Sequence, residues 1–324
     1  MLKSRDNKAI LITGGAGFIG SAVAKRLGEL GHEIILVDSF NSYYDPGLKE
    51  ARVKKFLEHT PHTLYRADIA DEAAMRKIFE SHPIDRICHQ AAQAGVRYAT
   101  QAPLTYGHSN LMGTLTVLEL AREFGVKGIV MASSSSVYGE AAQYPVKETD
   151  VTDKPISLYA ATKRATELMA YSYHHLYNLP ITCLRYFTVY GPWGRPDMAF
   201  FSFTKAALEG TPIDVFGQGK MERDFTYIDD IVGGIVHALE VRLPWAILNL
   251  GRGKAEPLMS MIECVERATG KTLEKNFIDM QPGDVRQTLA DISQARERLG
   301  WEPKVNLEEG IQKFVQWYHE YYGI

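Results

Sequence analysis

Thr13-Gly14-Gly15-Ala16-Gly17-Phe18-Ile19-Gly20 is the stretch on which the reading of this 324-residue chain turns. Before it, Ala9–Thr13 is an unbroken apolar run that predicts a buried strand. After it, Ile19–Leu30 repeats its apolar residues at helical spacing. A glycine cluster between a strand and a helix is where a backbone can come close to a phosphate. Gly14 and Gly17 clear the approach of side chains, and Gly20 lets the helix pack against the strand. The N–H groups at Phe18 and Ile19, at the positive end of the helix dipole, then face a diphosphate. Glycines alone are a weak signal; the strand, the turn and the helix around them make it stronger.

The second strand, Glu33–Asp38, ends in an acid. Asp38 is placed to accept hydrogen bonds from both hydroxyls of an adenosine ribose and to repel a 2′-phosphate. The next residues, Ser39 and Phe40, bring no cation. These features predict NAD rather than NADP. Asp68-Ile69, closing a third strand at His62–Ala67, suits the adenine edge.

Working outward, apolar runs alternate with helical patterns. Strands are predicted at Asp85–His89, Gly128–Ala132 and Ile181–Tyr186, and helices at Glu72–Ser81, Tyr106–Phe124 and Leu158–Tyr177. Continuous apolar strands separated by helices imply a parallel sheet buried on both faces, an α/β doubly wound (Rossmann-type) fold. Past Tyr186 the pattern changes. Gly191-Pro192-Trp193-Gly194-Arg195-Pro196-Asp197 is loop chemistry. Helices follow at Ala199–Gly210, Pro257–Thr269, Ser293–Leu299 and Leu307–Tyr322, with a short strand at Ile213–Phe216. Ile228–Glu240 and Ala246–Leu250 read as a helix and a strand returning to the main sheet. The expected division is a cofactor-binding domain of residues 1–188 plus about 222–252, and a smaller α/β substrate-binding lobe of 189–221 plus about 253–324.

Composition excludes several classes. The formal net charge is −3 and no basic block stands out, which argues against a nucleic-acid partner. Cys88, Cys183 and Cys264 are scattered, without the paired spacing of a zinc site or a disulfide framework, so buried thiols and no metal are expected. The polar start, Met1–Lys8, lacks the apolar stretch of a leader, and no run is long enough to span a bilayer. A cytoplasmic protein is expected.

Tyr159-Ala-Ala-Thr-Lys163 sets a phenol and an ammonium four residues apart, on one face of a helix. A nearby lysine charge favours phenolate, bringing a group that titrates near ~10 towards working pH. Such a phenolate can take a hydroxyl proton as hydride leaves the same carbon. Ser133-Ser134-Ser135-Ser136-Val137-Tyr138-Gly139 follows a strand at the carboxyl edge of the sheet, where hydroxyls can hold the reacting oxygen. Glycine loop, acid, serine loop and Tyr/Lys pair in this order are far more specific than any one of them.

These residues resemble an extended short-chain dehydrogenase/reductase essentially end to end, and within it the UDP-glucuronate 4-epimerases. The segments that carry the likeness are Asp38–Pro46, Ala91–Tyr98, Ser133–Gly139, Ser157–Lys163, Arg185–Met198, Pro212–Gly217 and Arg223–Asp230. The first two and the loop around Arg195 are the most particular to this group. The resemblance implies roles. Tyr159 would be the base, Lys163 its partner, and Ser134 the hydroxyl at the reacting oxygen. Gly14, Gly17, Phe18, Ile19, Asp38, Asn41, Asp68 and Ile69 would hold adenosine and pyrophosphate. Ala92, Asn110, Tyr186 and Val189 would lie near the nicotinamide or the sugar, Phe216 near the uracil, and Arg223 and Arg286 near the substrate diphosphate. It also implies a homodimer through the helices at 106–124 and 158–177, whose apolar residues exceed what one sheet face can cover.

The implied reaction passes through a 4-keto sugar whose C5 carboxylate is β to the ketone. Such acids lose CO₂ when the carboxylate bond aligns with the carbonyl π system, so an epimerase must hold the carboxylate in an unreactive direction while the ring turns. Ser134, Ser135, Ser136, Thr188 and Arg195 form the expected cradle. Relatives that dehydrate or decarboxylate usually carry an acid just before Val-Tyr-Gly, where this chain has Ser136. A different nucleotide-sugar 4-epimerase, acting on UDP-glucose or a UDP-N-acetylhexosamine, and a UDP-glucuronate decarboxylase are the alternatives.

Overall fold

The computed structural model describes residues 9–281 and 283–324; the polar start at 1–8 lies outside the described residues. The chain runs β1 (Ala9–Thr13), α1 (Phe18–Glu29), β2 (Ile34–Asp38), α2 (Pro46–Leu57), β3 (His62–Arg66), α3 (Glu72–Ser81), β4 (Ile84–His89), α4 (Pro103–Tyr106), a π-helical turn (Gly107–Met112), α5 (Gly113–Glu123), β5 (Gly128–Ser134), α6 (Leu158–Tyr177) and β6 (Ile181–Tyr186). It continues through β7 (Thr188–Tyr190), α7 (Ala199–Glu209), β8 (Ile213–Val215), β9 (Glu222–Tyr227), α8 (Ile228–Val241), β10 (Trp245–Leu250), β11 (Ala255–Pro257), α9 (Leu258–Thr269), β12 (Lys275–Phe277), α10 (Ser293–Leu299) and α11 (Leu307–Tyr322).

Seven strands form the central sheet in the order β10-β6-β5-β4-β1-β2-β3. Every pairing in it is parallel. The order reverses at β1, the switch point where ligands bind in doubly wound folds. Strand residues alternate between two apolar cores, as the pleat requires. Ile10, Ile12, Ile34, Leu36 and Leu184 enter the core beneath α1 and α8. Leu11, Ile35, Val37, Ile181 and Cys183 enter the core built with α3 and α5. This two-sided burial is why these strands read as unbroken apolar runs. The three thiols are buried, and among the described residues no helix is long and apolar enough to cross a membrane.

Beyond the main sheet, β7 pairs with β9 in parallel, β9 with β11 antiparallel, and β8 with β12 in parallel. Helix α9 packs on both α7 and α11.

Two features depart from the expectation. The stretch 106–124 is not one regular helix: a π-turn widens it at 107–112, next to Gly113, where a Cβ would stand 2.5 Å from the Ile69 side chain. Helix α2 was not foreseen. Its buried residues are Leu48, Lys49, Arg52 and Leu57, so two of the four inward positions are cations and no apolar stripe appears. A local signal was present: Asp45 caps the helix by accepting from Gly47 N, with Pro46 at the first turn.

Candidate active site

A cavity of about 810 Å³ opens along the carboxyl edge of the central sheet and gathers most of the expected residues. At one end is the β1–α1 loop. Gly14 has φ of +67°, and a Cβ there would lie 2.8 Å from Ala91 N; one on Gly20 would lie 2.1 Å from Gly14 O. Neither position tolerates a side chain. Helix α1 begins at Gly17 with no side-chain cap, which leaves its first N–H groups to a ligand. Asp38, Asn41, Asp68 and Ile69 line the same end. A side-chain-free cradle at an uncapped helix start, with a carboxylate across from it, fits the pyrophosphate and ribose of NAD.

A cation does stand beside Asp38: Lys49 Nζ lies 3.3 Å from Asp38 Oδ1 and 3.1 Å from Asn41 Oδ1, and both members of the ion pair are buried. Lys49 comes from α2, so Ser39 and Phe40 gave no sign of it. Asp38 also accepts from Ala16 N at 3.1 Å and from Phe40 N at 2.8 Å, which fixes the carboxylate between the glycine loop and the turn after β2. Asp68 is fixed similarly, by Ala70 N and the His108 ring.

The middle of the cavity holds the reacting groups. Ser157 caps α6 through Ala160 N and sets the start of the helix that carries Tyr159 and Lys163. Burial pushes the Tyr159 phenol up, opposed by a hydrogen bond with Ser134 and by the charge of Arg195. Burial pulls the Lys163 ammonium down to about 8. The Lys163 Nζ donates to Ala132 O at 2.8 Å. Lys163 therefore reaches across to β5 rather than along its own helix. Ser136 donates to Ser134 Oγ from both N and Oγ, at 3.2 and 2.9 Å, so Ser134 is held in place as an acceptor.

Beneath the serine loop, Glu167 on α6 accepts from Ser133 Oγ at 2.6 Å. It also pairs with Arg185 through two contacts of 2.8 and 2.9 Å. This ion pair is almost wholly buried. It ties the catalytic helix to β5 and β6, and Arg185 lies over the Tyr138 ring. No sequence signal marked it, because each partner lies alone in a strand or helix pattern.

Asn110 does not line the cavity. It is buried in the π-turn, accepting from Gln93 N at 2.7 Å and donating to Gln93 O and Thr162 Oγ1. It thereby joins the loop after β4 to α6 one residue before Lys163; Ser109 faces the cavity instead. Ala92, Tyr186, Thr188 and Val189 do line it, and Tyr186 Oη donates to Gln90 Oε1 at 3.0 Å.

At the far end lie Phe216 and Arg223, with Arg97 set over the Phe216 ring at 4.5 Å and held by Asp284 at 3.1 Å. Arg97 belongs to a segment singled out in the sequence, but its position against Phe216 comes only from the fold. Arg286 is exposed and does not line the cavity; its backbone carbonyl accepts from Glu222 N and Arg223 Nη1. Its contribution here is to place Arg223.

Arg195 lines the same cavity as Ser134–Ser136 and Thr188. Its guanidinium is engaged by Asp197, from Nε at 2.9 Å and Nη2 at 2.6 Å.

The family model described as "NAD dependent epimerase/dehydratase family" matches residues 10–251, most of the chain. The chain belongs to this NAD-dependent epimerase/dehydratase family. It is 45% identical over 312 residues to a UDP-glucuronate 4-epimerase from Thermodesulfobacterium geofontis, covering 96% of each. Among solved structures it superposes on a UDP-glucuronic acid 4-epimerase from Bacillus cereus, in complex with UDP-glucuronic acid and NAD. The TM-score is 0.92 at 35% identity, covering 97% of this chain and 100% of the other. A UDP-glucose 4-epimerase from Thermotoga maritima, with UDP-glucose, matches at a TM-score of 0.89 and 33% identity, covering 97% and 99%. The glycine loop and Asp38 form the end of the cavity whose shape fits NAD.

Proposed function

We propose that this protein catalyses the NAD-dependent C4 epimerisation of UDP-glucuronate to UDP-galacturonate through a transient 4-keto sugar. The observation that carries the reading is the convergence of Ser134, Ser135, Ser136, Thr188 and Arg195 on the cavity that holds Tyr159. A guanidinium and hydroxyls beside a proton-transfer group suit a sugar acid. Position 136 supplies a hydroxyl and no acid, which disfavours elimination. The named relatives above support the same substrate class.

With NAD bound, the chemistry available at C4 is removal and return of a hydride. The protein's own groups handle the proton. Tyr159 takes the C4 hydroxyl proton and returns it to the epimeric oxygen. Lys163 holds positive charge at the base of the pocket. Phe216 and Arg223 form the seat for uracil and diphosphate. In this reading the cofactor domain is residues 1–188 plus about 222–252, and the remainder forms the sugar-nucleotide lobe.

The test is a product assay with purified protein and UDP-glucuronate. UDP-galacturonate, formed without net NADH, is the expected result. CO₂ with a UDP-pentose would favour a decarboxylase, and turnover of UDP-glucose in preference would favour the other epimerase reading.

We also propose a cytoplasmic homodimer. Leu104, Met112, Leu168, Tyr171 and Leu176 are half or more exposed along α4, the π-turn and α6, an apolar face that a second copy would cover. Light scattering should give twice the 36.3 kDa chain mass. A stable monomer at micromolar concentration would contradict this.

A further inference from the structure

Arg195 is the guanidinium assigned to the serine cradle in the reading above, yet two of its three nitrogens are already taken. Asp197 accepts from Nε and Nη2 in a forked pair. The pair sits under the ring of Tyr43, whose hydroxyl donates to Asp197 Oδ2 at 3.1 Å. Burial, with the Asp197 charge next, pushes the Tyr43 phenol up to about 12, so it stays a donor. Among the described residues, Nε and Nη2 of Arg195 are directed at Asp197, which leaves Nη1 as the arm nearest to free.

The loop carrying this pair is anchored by other groups. Arg52, fully buried on α2, donates to Trp193 O at 3.0 and 2.7 Å and to Gly194 O at 3.2 Å. Trp193 packs between Phe56, Trp317 and Tyr321. The loop backbone thus does not depend on Asp197, and a second role is open to that carboxylate.

Resting on the reading of this site as a uronate epimerase, we propose that Asp197, braced by Tyr43, is a specificity-determining positioning residue that withholds one edge of Arg195 from the sugar carboxylate. An epimerase must let go. Between hydride removal and hydride return the keto ring has to turn, and the C5 carboxylate turns with it. A guanidinium free to grip both carboxylate oxygens would bind the ground state tightly and resist that turn. With its second edge held by Asp197, Arg195 offers one arm, and the nearby negative charge weakens the grip further. Tyr43 belongs to the Asp38–Pro46 segment, which joins the ribose acid to the sugar-acid loop.

The test compares wild type, Asp197→Asn and Tyr43→Phe as NAD-loaded enzymes, using kcat and KM for UDP-glucuronate and the inhibition constant for UDP. The asparagine keeps the shape and removes the charge. Freeing one charge-assisted contact predicts a KM for UDP-glucuronate about tenfold lower, with kcat lower by as much or more. The UDP inhibition constant should hold, because UDP lacks the carboxylate. Tyr43→Phe should shift KM and kcat in the same direction by a smaller factor. A raised KM together with weakened UDP binding would show that Asp197 only shapes the loop, and unchanged constants would show that it does nothing to the grip; either overturns the proposal. If wild type makes no UDP-galacturonate, the uronate reading falls and takes this inference with it. Clean wild-type turnover with unshifted variants overturns this inference alone.

Discussion

Removing the Arg195 side chain tests the carboxylate cradle most directly. In Arg195→Ala the sugar acid loses a charge-assisted hydrogen bond, which contributes roughly 1.5–3 kcal/mol, or about one to two decades in kcat/KM. The structure adds a second penalty. Asp197 keeps its hydrogen bond from Tyr43 but loses its cation, so a bare carboxylate then stands where the substrate brings another. The loss for UDP-glucuronate should therefore reach the upper end of that range. UDP-glucose carries a hydroxymethyl group in place of the acid and should lose far less. The assay is kcat/KM for both sugars, with carbon dioxide and UDP-4-keto-pentose measured alongside, because a freed carboxylate can swing into alignment with the C4 carbonyl. Arg195→Ala/Asp197→Asn should recover part of the loss, the part due to repulsion. Equal losses for the two sugars, or a wild-type preference for UDP-glucose, would refute the reasoning.

Three further outcomes follow from the site. Tyr159→Phe keeps the ring and removes the proton acceptor; its turnover should fall at least ~10²-fold with NAD still bound, and near-normal turnover would remove Tyr159 from its role. Lys163 is held at about 8 against an ordinary 10.5. The folded protein therefore binds fewer protons than the unfolded chain between those values, and its stability without ligand should rise with pH across that window. Lys163→Met should accordingly stabilise the ligand-free protein near pH 7, by up to about 3 kcal/mol, while abolishing turnover; a lower urea midpoint would contradict this. For Glu167 the sign is opposite. Burial works against its charge, but Arg185 holds its carboxyl below the ordinary 4.5. Its contribution is present above that value and is lost as pH falls through the folded value. Glu167→Gln leaves Arg185 buried without its counter-charge and should lower stability by about 3–5 kcal/mol in urea melts; an unshifted midpoint would exclude a supporting role for the pair.

The elements the sequence made legible were those whose pattern is local. Strands β1 and β2 announce themselves because burial on both faces demands runs of Ile, Leu and Val. Helix α6 announces itself through its period. The glycine loop and the Tyr159/Lys163 pair are short-range patterns, and the cavity gathers both. What stayed hidden depends on contacts between distant segments. Helix α2 buries Lys49 and Arg52, whose partners are Asp38, 11 residues away, and Trp193, 141 residues away. A stripe of buried cations looks like a solvated face until those partners are known. Asn110, which the resemblance put near the nicotinamide or the sugar, sits in the π-turn at 107–112 and is bonded to Gln93 and Thr162, which no local pattern shows. Arg286, which the resemblance put near the substrate diphosphate, is exposed beside the bridge between 222 and 287, a position that no local pattern shows.

Helix α2 also explains how one fold can serve two half-reactions in one turnover. Among the described residues, Arg52 is hydrogen-bonded to no carboxylate: besides Trp193 O and Gly194 O, it donates to Tyr44 Oη at 2.6 Å and to Ala16 O at 3.4 Å. Ala16 belongs to the glycine loop, and Trp193 and Gly194 to the loop that carries Arg195. Burying an arginine is costly unless every donor finds an acceptor, and here the acceptors come from both ligand loops. Neither loop can move away without leaving part of a buried guanidinium unsatisfied. A dehydrogenase that trades its cofactor each cycle gains from a cofactor loop that opens freely. An epimerase returns the hydride to the sugar it came from, so its cofactor and sugar sites have to stay closed on each other while the ring turns. A buried cation shared between the two loops, with a one-armed arginine at the sugar acid, holds the frame still and leaves the substrate as the part that moves.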